Sequence, residues 1–184
     1  MWLVLETRPR RSEIPSSADC VVAAQTRSPL RLTHRPSVGE NAAVAGYSST
    51  PLSKKLGIKP GGRVSLVAAP TGFADLLDPL PDRVKLIDGA RGRSDVLIFF
   101  ATRSNELNRR FAKLATAITT EGGLWIAWPK RSSCVATDLG GNVVREIGLA
   151  NALVDNKVCA IDSTWSGLRF VYRLDDRPAR AASL

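Results

Sequence analysis

Trp128-Pro129-Lys130-Arg131 sets an indole beside two cations at the end of an apolar run. The Trp128 face can stack on a planar ligand while Lys130 pairs with an anion. Tyr47-Ser48-Ser49 stands just ahead of Thr50-Pro51, a helix-start signal. Free amides at a helix start carry positive potential and hydroxyls add donors, so this segment suits a phosphate or carboxylate. The competing reading is ordinary capping by Thr50, with Tyr47 as a hydrophobic staple. Asp88 closes a short apolar run, a place where a carboxylate can accept ribose hydroxyls. Asn156, Lys157, Trp165 and Arg169 flank the last two apolar runs and can form a polar edge with an aromatic anchor for a protein partner. Turn chemistry around Asp162 and Gly167 accounts for the same stretch without a partner.

Other chemistry is excluded. The single histidine, His34, lies in a stretch without apolar periodicity, so a serine triad has no base. Cys20, Cys134 and Cys159 show no C-x-x-C or Cys/His spacing, and no metal is expected. There is no G-x-x-x-x-G-K-[ST] phosphate loop and no G-x-S-x-G elbow. No catalytic residue is assigned. Lys+Arg number 26 against 17 Asp+Glu, a net charge of +9 that favours anionic partners. The cations are scattered and only two tyrosines and five phenylalanines are available to stack on bases, so nucleic acid is an alternative and not the favoured partner. No apolar run approaches the roughly 18–20 residues of a membrane helix. Cysteine usage fits a reducing cytoplasm.

Residues 1–45 carry four prolines, six arginines and no lysine, and read as a disordered extension. From Gly46 the pattern becomes regular. A short helix is expected with Thr50 as N-cap, Pro51 as its first residue and Gly57 as its stop. Arg63–Ala68 and Val84–Asp88 read as strands, with a short helix from Phe73 to Asp78 between them. Asp95–Ala101 is apolar enough for a central parallel strand buried on both faces. Ser104 can cap a helix whose apolar face runs Leu107, Phe111, Leu114, Ala115 and Ile118, ended by Gly122-Gly123. Leu124–Trp128 is a further strand, Asn142–Ala150 a helix, and Val158–Ile161 with Leu168–Tyr172 a closing hairpin. Residues 174–184 read as a frayed basic tail.

Strands alternating with helices mean an α/β fold. It is expected to be Rossmann-like, a mostly parallel sheet with helices on both faces and a C-terminal antiparallel hairpin. This layout resembles a truncated class I methyltransferase core. Ligands of such sheets sit beyond the carboxyl ends of the strands where strand order reverses. That crevice lies between Arg63–Ala68 and Asp95–Ala101, rimmed by Thr71, Thr102 and Arg103, with Trp128 and Lys130 nearby. Ala68-Ala69-Pro70-Thr71-Gly72 replaces a glycine-rich turn, and Pro70 removes a donor. The step from Asp88 to Asp95 has no room for a helix and strand.

Five segments carry a resemblance: GYSSTPL (Gly46–Leu52), KKLGIKPG (Lys54–Gly61), GLWIAWPK (Gly123–Lys130), LVDNKVCA (Leu153–Ala160) and TWSGLRF (Thr164–Phe170). Together they resemble the actinobacterial family of domain of unknown function 3052, over about residues 46–173. The resemblance implies a small cytoplasmic Rossmann-like domain with no assigned activity. Residues 1–45 fall outside it, as an extension expected to be dispensable.

The expectation is a non-catalytic Rossmann-like domain that binds an anionic small molecule or a protein partner. Candidate ligand contacts are Tyr47, Ser48, Ser49, Thr71, Asp88, Thr102, Arg103, Trp128 and Lys130. Candidate partner contacts are Asn156, Lys157, Trp165 and Arg169. The alternatives are a methyltransferase-like enzyme using S-adenosylmethionine, the less favoured cofactor, and a nucleic-acid binder.

Overall fold

The computed structural model describes residues 50–177. Tyr47, Ser48, Ser49, the 1–45 extension and residues 178–184 lie outside the described residues. Helix α1 (Leu52–Leu56) precedes strand β1 (Arg63–Val67), a 3-10 turn (Phe73–Leu77) and β2 (Lys85–Asp88). Strand β3 (Ser94–Phe100), α2 (Ser104–Thr116), β4 (Ile118–Pro129) and α3 (Gly141–Ala150) follow. Strands β5 (Leu153–Ala160) and β6 (Trp165–Tyr172) close the fold.

The six strands form one sheet in the order β2-β1-β3-β4-β6-β5. β2, β1, β3 and β4 are mutually parallel. β6 runs antiparallel to β4 and to β5, the expected terminal hairpin. The chain is therefore Rossmann-like α/β, and strand order reverses at β1, with β2 on one side and β3 on the other.

Each strand alternates between two apolar layers because successive side chains point to opposite faces. On one face Leu97, Phe99, Leu124, Ile126 and Phe170 pack under α2 and α3. On the other Val64, Ile98, Phe100 and Trp125 pack under α1 and the 3-10 turn. Helices thus cover both faces. Trp125 is fully buried and its indole donates to the Leu56 carbonyl at 3.0 Å, fixing α1 to the sheet.

The β2–β3 link is residues 89–93 alone. Crossing two strand spacings and returning about four residues spans about 16 Å, close to the roughly 20 Å that six extended virtual bonds reach. A helix cannot fit. Ala90 of this link packs against the α2/α3 layer instead.

Several boundaries differ from the sequence expectation. The N-cap of α1 is Pro51, one residue later than expected, and makes no side-chain cap bond. Gly57 does stop the helix, at φ 79°. Helix α2 ends at Thr116, and Ile118 opens β4 rather than extending the helical face. Gly122-Gly123 lie inside β4 and do not terminate a helix. They are small because backbone and guanidinium press on them: a Cβ at Gly122 would stand 3.0 Å from the Ser94 and Asp95 carbonyls. Arg177, expected in a frayed tail, bonds the Tyr172 carbonyl at 3.3 Å and Glu121 at 2.6 Å. No helix among the described residues is long and apolar enough to cross a membrane.

Candidate functional site

β4 delivers Trp128 and Pro129 to the carboxyl end of the sheet, and the following loop folds back over the end of β3. Three residues hold that loop. The Thr137 hydroxyl donates to the Thr102 carbonyl at 2.8 Å and accepts from the Leu139 amide at 3.0 Å. Asp138 accepts the Ser104 amide and hydroxyl, each at 2.8 Å. Leu139 is buried in the α2/α3 layer. Ser104 is thus not the cap of α2, as the sequence suggested, but its first residue, satisfied by a carboxylate 34 positions away. Partial desolvation raises the Asp138 pKa, but the Ser104 hydroxyl and amide, its own backbone and Arg103 outweigh it and hold it below the usual 3.8.

Beyond the loop, Gly140 is the N-cap of α3 and carries no side chain to close the helix start. The first intrahelical bond is Val144 N–H to the Gly140 carbonyl, which leaves the amides of Gly141, Asn142 and Val143 as first-turn donors. These residues, with Trp128, Arg131 and Leu139, line a cleft of about 570 Å³. A volume of that order suits a small organic ligand. Trp128 is 8 % exposed, and its ring carbon Cζ2 lies 3.7 Å from where a Gly141 Cβ would sit. The Trp125 indole N–H, by contrast, is committed to the Leu56 carbonyl on the other face of the sheet.

The other sequence candidates scatter. Lys130 gives its ammonium to the Asp162 carbonyl and its amide to the Thr164 carbonyl, so it braces the β5–β6 turn. Its neighbour Arg131 lines the cleft in its place. Thr102 offers its carbonyl to Thr137, and Arg103 is exposed at the N-cap of α2. Thr71 is exposed in the turn after β1, and Asp88 is exposed at the end of β2, opposite Leu66. Those two lie on the β1 side of the sheet and not with Trp128.

The residues after β1 do not fit S-adenosylmethionine. Ala68 occupies the left-handed region at φ 53°, where glycine would bring the backbone to a ligand. Pro70 has no N–H, and its carbonyl already accepts the Phe73 amide.

The four partner candidates do not form one edge. Asn156 and Lys157 are exposed on the edge strand β5, and the Lys157 ammonium reaches the Lys55 carbonyl at 2.8 Å. Trp165 turns inward and meets Phe100 edge-on at 5.0 Å. Arg169 sits on the inner strand β6, partly buried. Sequence reasoning missed Asp138 and the Gly140-Gly141-Asn142 helix start. The signal was present as Gly-Gly-Asn ahead of the apolar residues Val143, Val144 and Ile147.

No family model and no curated protein matches the chain. Among solved structures it is similar to magnesium protoporphyrin IX methyltransferase from Synechocystis PCC 6803 with bound SAM. That likeness has 13% identity over 66% of this chain and 74% of the other, at TM-score 0.47. It is also similar to the pyocyanin biosynthetic protein PhzM, with 10% identity over 66% and 53% of the two chains at TM-score 0.49. A methyltransferase from Pyrococcus furiosus matches with 10% identity over 65% and 78% at TM-score 0.41.

Proposed function

We propose that the protein is a Rossmann-like binding domain that holds a small organic anion in the cleft between Trp128 and the start of α3, without performing chemistry on it. One observation carries this reading: the open first turn of α3 faces the same cleft as the nine-tenths buried Trp128 indole. Helix-start amides and the positive end of the helix dipole favour a carboxylate or phosphate. Pro129, Leu139, Val143 and the Trp128 ring supply apolar contact for the body of the ligand. Arg131 adds an exposed cation at the rim. The carboxylate lining the cleft, Asp138, is spent on Ser104 and is held ionised, which suits a structural pin better than a general acid.

The variant Gly140→Asp separates binding from folding. A Cβ at Gly140 has open space around it, and its φ of −151° suits any residue. The new carboxylate takes the first-turn amides itself and repels an anion. Titration with benzoate and with inorganic phosphate, read at the Trp128 indole N–H by proton–nitrogen correlation, should show saturable binding in the wild type and at least about a tenfold loss in Gly140→Asp, the equivalent of about 1.4 kcal/mol. The variant's thermal midpoint should be unchanged or raised. Equal binding by both proteins, or none by either, overturns the reading.

A further inference from the structure

We infer that Arg169 anchors a second oxyanion site, on the sheet face opposite α2 and α3 and independent of the cleft. In register Arg169 lies beside Trp125 of β4, whose indole is buried against α1. Its guanidinium rests on the backbone of Gly123. A Cβ at that position would stand 2.3 Å from Nε and 2.8 Å from Cζ and Nη2. Glycine is therefore the residue that leaves room for the fork, and the close seat fixes the plane of the guanidinium.

That seat is built, yet the charge has no counter-charge. Nε is fully buried and has no acceptor. No carboxylate forms an ion pair with Arg169 among the described residues. The charge that acts on it is Arg177, of like sign, which is itself paired with Glu121. Lys157, directly opposite on β5, is also positive and sends its ammonium to the Lys55 carbonyl. Like charges facing each other across two strands are unfavourable. Burial and Arg177 both act against the charged guanidinium, pulling its pKa below the ordinary arginine value. A half-buried guanidinium without a partner is destabilised until a group with oxygens at fork spacing occupies its outer edge. Arg169 as a whole is only partly buried. The ligand class is a planar carboxylate or a phosphate group, both of which match the guanidinium fork.

The test is a proton–nitrogen correlation spectrum of the full-length protein, recorded over the arginine Nε–H signals. Inorganic phosphate and acetate are titrated separately at ionic strength held constant with sodium chloride. The Arg169 signal is assigned by its loss in Arg169→Lys. The expected result is a saturating shift of that signal with at least one of the two anions, the tighter one naming the ligand class. The Trp125 amide should report binding at least about tenfold weaker in Arg169→Lys, as expected when a two-point charged contact becomes one. Arg173→Lys, on the exposed stretch after β6, should bind as the wild type does. Shifts that are non-saturating for both anions, or unchanged affinity in Arg169→Lys, overturn the inference. Saturation here without saturation at the Trp128 indole refutes the cleft alone, and the converse refutes Arg169 alone.

Discussion

Asp138 and Arg169 are two exposed-to-half-buried charges with opposite consequences. Asp138 accepts two donors from Ser104 and so closes the first turn of α2 from a distance. Losing a cap costs about 0.5–2 kcal/mol, and because Asp138 is largely exposed the lower part of that range, about 0.5–1 kcal/mol, applies to Asp138→Ala. The sign of its pH dependence follows from the lowered folded pKa. The contribution is fully present above the unfolded value of 3.8 and disappears as pH falls through the lower folded value. Wild-type stability should therefore fall more steeply than that of Asp138→Ala below about pH 4, measured by urea midpoints across pH. If the two acid limbs run parallel, Asp138 is not the pin. Arg169 behaves the other way. Replacing a half-buried unpaired cation by an apolar chain of similar length is neutral or stabilising, so Arg169→Met should change stability by no more than about 1 kcal/mol downward, and more favourably upward, in anion-free buffer. A loss of several kcal/mol would mean that Arg169 holds the fold through contacts other than charge.

Helix α3 sets the position of the cleft, and one glycine sets the position of α3. A Cβ at Gly148 would stand 2.0 Å from Cε1 of Phe170, a ring already packed edge-on against Phe111 at 5.4 Å. Helix propensity alone favours Gly148→Ala by about 1 kcal/mol, while overpacking costs about 1–3 kcal/mol. Packing wins because the ring is fully buried and already packed against Phe111. Gly148→Ala should lower the urea midpoint, and an unchanged or higher midpoint would show that α3 can slide. The same competition explains what the sequence could reveal. The apolar run Asp95–Ala101 identifies β3 to within one residue at each end, because a strand buried on both faces has a pattern that needs no partner to be read. Ile118 fits the helical period of α2, yet it pairs with Ser94 as a strand residue, and only the tertiary pairing decides between the two. The Asp138–Ser104 cap is likewise invisible, since no local rule connects residues 34 apart. Trp128 was legible as a strand-end aromatic. Which of the adjacent cations Lys130 and Arg131 would face the cleft depends on how β4 leaves the sheet.

At the scale of the molecule, one sheet with two layers presents different chemistry at its rims. β2 is a four-residue edge, too short to recruit another strand readily. β5 is longer, but it carries exposed Asn156 and Lys157 at a register irregularity. An edge lysine and a bulge both oppose edge-to-edge pairing, and the exposed Val158 beside them would otherwise promote it. Lys157→Val should therefore increase concentration-dependent association, read as sedimentation coefficient against loading. A variant as monodisperse as the wild type would mean that β5 is protected by something else. At the carboxyl rim the open start of α3, the Trp128 indole and the apolar lining meet. The most direct measurement is the Trp128 indole N–H and the amides of Gly141, Asn142 and Val143, followed by proton–nitrogen correlation as benzoate is added. All four signals should shift along one saturation curve, with the Trp125 indole unmoved because it is committed to Leu56. Shifts at exposed amides alone, with Trp128 and the α3 start stationary at the highest benzoate concentration, would contradict the cleft reading.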